Sequence, residues 1–378
     1  MFNFKEYRLR YFNFRLVLYV LLLAAAGVIF IKSATMNSAD DAVRKQIMGI
    51  AVGSVCMLFV ALVDYHFWQK IWPVIYGVCI VLLVAVLFWN RGYTSGEAKR
   101  WLTLGSFSIQ PSEFCKIGLI LTLSAYFYRF REKISSLPVV AFAVALYGGI
   151  GFLIFKEPDL STTLVTVFIF IVMIYVAGIS YKWVFGVIGV CVPVVAVLLY
   201  ILQQPDQTII KGWQLSRITD WLYPEQASAD ATRQVRYSVQ AIASGQLYGK
   251  GLFNTTLESV KNGNFLSAED CDFIFAVVGE ETGFWGSVII IALLALVVLE
   301  CIWLAIRAKD LAGRLICVGV GGLVAFQSFI NIGVATRLLP NTGLPLPFIS
   351  AGLSSLLSLM IGMGLVLNVG LQRKREIT

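Results

Sequence analysis

The stretch EDCDFIFAVVGEETG, residues 269–283, holds five of the chain's 22 acidic residues, although the whole chain carries a net charge of +8. Within it, Asp272 is followed at once by an apolar run, Phe273 to Val278. Desolvation against such a run raises a carboxyl pKa, and a raised pKa suits a general base. Clustered acids can equally form a solvated rim or hold a divalent cation such as magnesium or manganese. Residue types alone do not select the metal, so no ligand set is assigned.

Three further stretches carry residues with chemical potential. In GEAKRWLTLGSFSIQPSEFCKIG (96–118), Pro111 suits a first helical turn, where its missing N–H costs nothing. Glu113 falls in the same turn, where the helix dipole favours an anion, and Lys116 lies three residues on, along the same face. A buried ammonium costs a few kcal/mol or more, so Lys116 must meet an anion or a watery cavity. Two readings stay open: an internal Glu113–Lys116 pair, or a lysine offered to an anionic ligand with Lys99 and Arg100 nearby. In KEPDLSTTLV (156–165), Asp159 or Ser161 caps a helix, and Asp159 is also placed to line a cavity facing Lys116. In RLLPNTGLPLPFISAGLSSL (337–356), three prolines and two glycines impose a non-helical path. At membrane depth such backbone needs protein or a water-filled cavity around it. Ser350, Ser354 and Ser355 either offer hydroxyls and N–H groups to a ligand or serve a structural re-entrant turn.

The elements that must position these residues are apolar helices. The chain is 58% hydrophobic and only 14% charged over 378 residues. A bilayer core needs about 20 consecutive apolar residues per helix. Ten stretches qualify, at about 14–33, 46–65, 70–89, 113–129, 138–155, 162–178, 182–201, 284–305, 312–335 and 350–371. They are apolar all round, unlike the helices of a soluble core, and they lack the alternation of a membrane β-barrel. The expected fold is an all-α polytopic membrane protein: a single domain over 1–378, with tails at 1–13 and 372–378. Helices 1–7 occupy 14–201, a large extracytoplasmic loop 202–283, and helices 8–10 occupy 284–371. So long a connection is functional or disordered, and its aromatic content favours a folded cap.

Lys and Arg cluster in the N-terminal tail (Lys5, Arg8, Arg10, Arg15), at Arg129–Lys133, at Arg307–Arg314 and at Arg373–Arg375. Ten helices put all four clusters on one side, the cytoplasmic one, with both termini. The positive charge is thereby a matter of topology and implies no nucleic acid. The first helix has no small-residue cleavage site and is expected to be retained. Six of the seven cysteines fall in apolar segments without paired spacing, so neither a disulfide framework nor a zinc site is expected. The single histidine, His66, ends the second stretch beside aromatics and suits interfacial packing rather than catalysis.

The motifs AKRWLTLGSFSIQPSEFCK, EPDLSTTLV, AIASGQLYGKGL, DFIFAVVGEETG and TGLPLPFIS, in that order, resemble the SEDS family (shape, elongation, division and sporulation), which includes RodA, FtsW and SpoVE. The resemblance runs nearly end to end. It implies a ten-helix protein of the bacterial cytoplasmic (inner) membrane that polymerises lipid II into peptidoglycan glycan strands beside a class B penicillin-binding protein. It also implies inverting glycosyl transfer that releases undecaprenyl pyrophosphate. Carried over by motif, Asp272 is the catalytic aspartate, and Gln110, Ser112, Glu113, Lys116, Arg100, Asp159 and Arg217 join Ser350 and Ser354 in the substrate-binding set. A divalent cation at the pyrophosphate is compatible with this chemistry. The chain departs from the family pattern at Asp270 and Cys271, at Arg337, where a glycine is expected, and at Leu353, which replaces a glycine. Two rival functions use some of the same residues: a lipid II flippase and a non-enzymatic scaffold for a transpeptidase.

Overall fold

The computed structural model describes residues 7, 9–36, 41–89, 100–104, 107–157, 159–186, 189, 193, 220–223, 229–254, 259 and 270–373. They form α1 (Phe14–Ala34), α2 (Ala42–Leu62), a short α3 (Tyr65–Lys70), α4 (Trp72–Trp89), α5 (Pro111–Arg129), α6 (Leu137–Lys156) and α7 (Leu160–Ala177). The later helices are α8 (Ala229–Ser244), α9 (Ile274–Ile306), α10 (Leu311–Ala335) and α11 (Leu353–Leu371). A small antiparallel ribbon, β1 (Leu102–Leu104) against β2 (Phe107–Ile109), leads into α5.

Seven of the described helices, α1, α2, α6, α7, α9, α10 and α11, are long and apolar enough to cross a bilayer. α4 is apolar but shorter in its qualifying part, Trp72–Phe88. α5 has 19 residues but includes Glu113 and Lys116. The chain is therefore a helical, polytopic membrane protein. Most of the expected helix 182–201 and most of the connection 202–269 lie outside the described residues.

Burial sorts the helices. α5 is buried at nearly every residue from Pro111 to Phe127, and α11 from Ser354 to Leu371. The other helices wrap them. Their outer faces show Phe14, Val55, Val74, Phe152, Ile289 and Ile306, each more than half exposed. Water would oppose that display, whereas lipid tails accept it.

Local signals set several helix ends. Asn13 Oδ1 accepts the Leu16 N–H at 3.1 Å, Asp159 Oδ1 the Thr162 N–H at 3.0 Å and Asp310 Oδ1 the Gly313 N–H at 2.7 Å. Each satisfies one of the N–H groups a helix start leaves open. Pro111 opens α5 as expected.

The expected boundary at 283/284 falls at a backbone break. Residues 274–282, read from the sequence as the end of an outer loop, are helical and belong to α9. Glu280 and Glu281 lie just before that break, at the end of the first helical piece. The apolar run after Asp272 is itself helical, and the break comes later, at Gly283 (φ 63°, ψ −157°). Only glycine adopts that backbone without strain. The segment 245–251 fills the break. Phe284 N–H donates to Gln246 O at 2.8 Å and Lys250 N–H to Glu280 O at 2.9 Å, so the backbone groups freed by the kink keep partners. Glu280 also pairs with Lys250 Nζ at 2.8 Å, and Glu281 accepts from Ser33 on α1.

Candidate functional site

Residues 336–352 return between α10 and α11 as mostly non-helical chain, buried over much of its length. This segment organises the site. Asp270, Cys271 and Asp272 form a turn before α9, and three bonds fasten that turn to it. Ala351 N–H donates to Asp270 O at 2.9 Å, Ser350 Oγ donates to Cys271 O at 2.6 Å, and the Cys271 thiol donates to Ala351 O at 3.0 Å. Burial, followed by the charges of Asp270 and Asp272, pushes the Cys271 thiol up, so it stays a neutral donor.

Asn331 of α10 joins the two pieces again. Its Nδ2 donates to Asp272 O at 2.8 Å and to Leu344 O at 2.6 Å. The Asp272 carboxylate, partly buried, lies over Gly343, which has φ 68°. A Cβ on residue 343 would sit 3.2 Å from Asp272 Oδ2. Glycine there meets both the backbone demand and the close approach.

A second polar chain runs inward from the same segment. Lys116 is fully buried; its Nζ donates to Glu113 Oε1 at 2.8 Å and to Gln327 Oε1 at 3.1 Å. Gln327 Nε2 donates to Pro345 O at 2.9 Å. Gln327 and Asn331 stand four apart on α10, hence on one face. Between them they hold adjacent carbonyls of the re-entrant segment, and they link Lys116 to Asp272. Of the two readings of Lys116, the internal pair is present.

Asp159 has separate partners. Besides capping α7, its Oδ2 accepts from Thr162 Oγ1 at 2.9 Å and lies 3.5 Å from Gln110 Nε2 and 3.9 Å from Arg100 Nη1. The expected facing of Asp159 and Lys116 is not seen: Lys116 turns to Glu113 and Gln327, because those partners share its depth. The capping reading of Asp159 holds, and the cation it meets is Arg100 rather than Lys116.

Ser354 Oγ accepts the Gln110 N–H at 3.0 Å, and Ser350 Oγ also accepts the Leu346 N–H at 2.7 Å. Ser350 thus serves the re-entrant turn, and Ser354 ties the start of α11 to the residue before α5. Ser112 Oγ is buried without a hydrogen-bond partner among the described residues. Arg217, Lys99 and Glu269 lie outside the described residues. Among the described residues no group of three or more His, Cys, Asp or Glu could hold a metal ion.

Sequence reading missed Gln327, Asn331 and Glu157. The signal for the first two was a pair of amides at helical spacing inside an apolar stretch. Glu157 is the first residue of the quoted EPDLSTTLV motif. It is fully buried, and neither carboxyl oxygen has a hydrogen-bond partner among the described residues. Burial, reinforced by the charge of Asp159 and opposed by Arg100, raises its carboxyl to about 8.

Comparison with known proteins agrees with this architecture. The family described as "Cell cycle protein" (FTSW_RODA_SPOVE) matches residues 14–375. Stage V sporulation protein E of Bacillus subtilis is 35% identical over 94% of this chain and 95% of its own length. Peptidoglycan glycosyltransferase MrdB of Escherichia coli K12 is 33% identical over 95% of this chain and 93% of its own. Among solved structures, a chain reported under "Structural coordination of polymerization and crosslinking by a peptidoglycan synthase complex" superposes with a TM-score of 0.79 at 26% identity, covering 95% of this chain and 97% of that one. RodA of Thermus thermophilus superposes with a TM-score of 0.69 at 25% identity, over 97% and 98%. The chain belongs to the FtsW, RodA and SpoVE family of cell cycle proteins, the SEDS family that its motifs resemble.

Proposed function

We propose that this protein is a peptidoglycan glycosyltransferase that polymerises lipid II, acting in cell elongation, division or sporulation. Relatives of matching length are named for that activity: MrdB of Escherichia coli, and the probable peptidoglycan glycosyltransferase FtsW of Trichlorobacter lovleyi, 32% identical over 97% of this chain. The observation that carries the site assignment is the fastening of the Asp272 turn. Its three backbone carbonyls are each held by a donor from α10 or the re-entrant segment. A base held in this way keeps its geometry through the reaction.

Asp272 accepts the proton of the acceptor sugar's 4-hydroxyl. The freed oxygen attacks the anomeric carbon of the donor with inversion, the glycosidic bond to phosphate breaks, and undecaprenyl pyrophosphate leaves. Negative charge grows on that leaving group, so a fixed cation nearby lowers the barrier. Arg100, beside Asp159 and Gln110, and Arg217 take that role. Lys116 acts one step back. Through Gln327 it holds the segment over which Asp272 sits, with Glu113 as its counter-charge. Ser112 and Glu157 keep hydrogen-bonding capacity on this side of the bundle. A magnesium or manganese ion at the pyrophosphate would offset its negative charge, and no step here depends on it.

The protein sits in the bacterial cytoplasmic membrane with both termini inside, and a class B penicillin-binding protein is its partner. The test is glycan synthesis from lipid II by purified chain with that partner, in detergent. A flippase makes no polymer without two leaflets, and a scaffold makes none when the partner alone is inert. Normal polymerisation by Asp272→Asn sinks the base assignment.

A further inference from the structure

Three distant parts of the chain meet at the end of the bundle opposite Asp272. They are the 3₁₀ turn Leu9–Tyr11 with the start of α1, the end of α9, and the end of α11. Together they enclose a cleft of about 280 Å³ lined by Arg10, Phe12, Arg15, Glu300, Trp303 and Arg373, among others. The Arg373 guanidinium lies 3.9 Å over the Tyr11 ring and 5.3 Å from that of Trp303, and Arg307 stacks on Trp303 at 4.1 Å. Stacking supports a guanidinium through its face and leaves its in-plane N–H fork available to an oxyanion.

The charge is unbalanced. Among the described residues, no carboxylate lies within 4.0 Å of Arg10, Arg15 or Arg373. The carboxylate lining the cleft, Glu300, accepts from Asn13 Nδ2 at 2.7 Å. That bond ties it to the start of α1. Three arginines thus face one carboxylate.

The depth is that of a lipid headgroup. α1 begins at Phe14 and α9 ends at Ile306, both 72% exposed, with Trp303 half-buried between ring contacts. Exposed apolar residues and a tryptophan at a helix terminus mark the membrane–water boundary. Basic pockets between helix ends at that level suit acidic lipids.

We infer that this cleft binds the phosphate of an anionic glycerophospholipid from the leaflet at that end, with Arg10, Arg15 and Arg373 as its donors. The shared chemistry is phosphate recognition, and the lipid is the source because the donors lie where acyl chains continue along Phe14 and Ile306.

Native mass spectrometry of the full chain, released from micelles containing phosphatidylglycerol or phosphatidylcholine, tests this. The wild-type chain should retain phosphatidylglycerol in preference. Arg10→Gln with Arg373→Gln should lower retention about tenfold or more. Arg129→Gln with Lys133→Gln removes equal charge from another basic cluster and should leave retention unchanged. The exposed Arg15→Gln, read alone, should lower retention severalfold, which covers the case in which the double variant fails to fold. Equal loss in the Arg129 and Lys133 control, or no loss at the cleft, overturns the site. Displacement of the lipid by millimolar inorganic phosphate overturns the lipid assignment.

Discussion

Two groups of charged side chains at opposite ends of the bundle make a direct comparison. At one end His66 lies between two aspartates, with Nδ1 2.8 Å from Asp64 and Nε2 2.9 Å from Asp310. Both aspartates also work as helix caps, Asp64 toward His66 N–H and Asp310 toward Gly313 N–H. At the other end Lys116 has two acceptors, but Glu113 Oε2 and both oxygens of Glu157 have no partner among the described residues. The His66 carboxylates are used up in holding α3 to α10. The Glu113 and Glu157 carboxyls keep spare acceptors in a place where an unmet polar group is costly. Such capacity persists where a substrate or water supplies the partner. The sequence reading of His66 as a packing residue is sharpened: it is a hydrogen-bonded clamp between two aspartates, stacked on Tyr65 at 4.0 Å.

The largest effect should come from the proposed base. Asp272→Asn should lower lipid II polymerisation by about 10²-fold or more with little change in thermal stability, checked by product gels and melting. A stable but fully active variant would make the two ends alike in being structural.

Lys116→Met should come next and affect both readouts. It leaves Glu113 buried without its cation, at a cost of about 3–5 kcal/mol. Adding Glu113→Gln should restore much of the melting temperature without restoring synthesis. Recovery of both would reduce Lys116 to a structural pair like that of His66.

The two ends should also differ in pH dependence. The Glu157 carboxyl is raised from 4.5 to about 8. The folded state keeps a proton that the unfolded chain has lost, so stability falls as pH rises across that window and is level above it. Glu157→Gln should abolish this fall. His66 is raised from 6.5, first by its bond to Asp310 and against burial. Its contribution is full below that value and is lost as pH climbs through the raised one. At 33% side-chain exposure it contributes about 1 kcal/mol at most. His66→Gln should remove only this shallower, later loss. Melting temperatures from pH 4 to 9 separate the two.

The smallest effect concerns Arg337, which holds φ 62°, a left-handed backbone. The resemblance led one to expect glycine there, and the conformation gives the reason. Arg337→Gly should raise stability by about 1 kcal/mol or less, visible as a small upward shift in melting temperature.

Much of the fold was legible because lipid solvent imposes a simple code. Long apolar stretches became α1, α6, α7 and α10 within a few residues of their expected limits. The start of α9 was not legible. The five acids of 269–283 looked like a loop rim, and nothing local says that Glu280 is buried against Lys250 or that residues 245–251 fill the kink at Gly283. The departures at Asp270 and Cys271 leave the backbone bonding of the turn in place: Asp270 O and Cys271 O each accept from the re-entrant segment. Leu353 simply opens α11, and nothing in the structure explains why it replaces glycine.

Sequence alone determined the membrane class, the helix-forming stretches, the positions of the basic clusters and, through the motifs that carry its family resemblance, the choice of Asp272, Lys116 and Asp159 as candidates. The first three are properties of composition, of spacing along one helix and of local capping. Tertiary structure decided which of them meet. Lys116 and Asp159 do not face each other. Gln327 and Asn331 carry the link from Lys116 to Asp272. Arg10 and Arg373, at the two ends of the chain, line one cleft. Hydrophobicity sets depth in a bilayer residue by residue, but polar groups inside it must find partners, and only the packing of separate helices determines which are within reach.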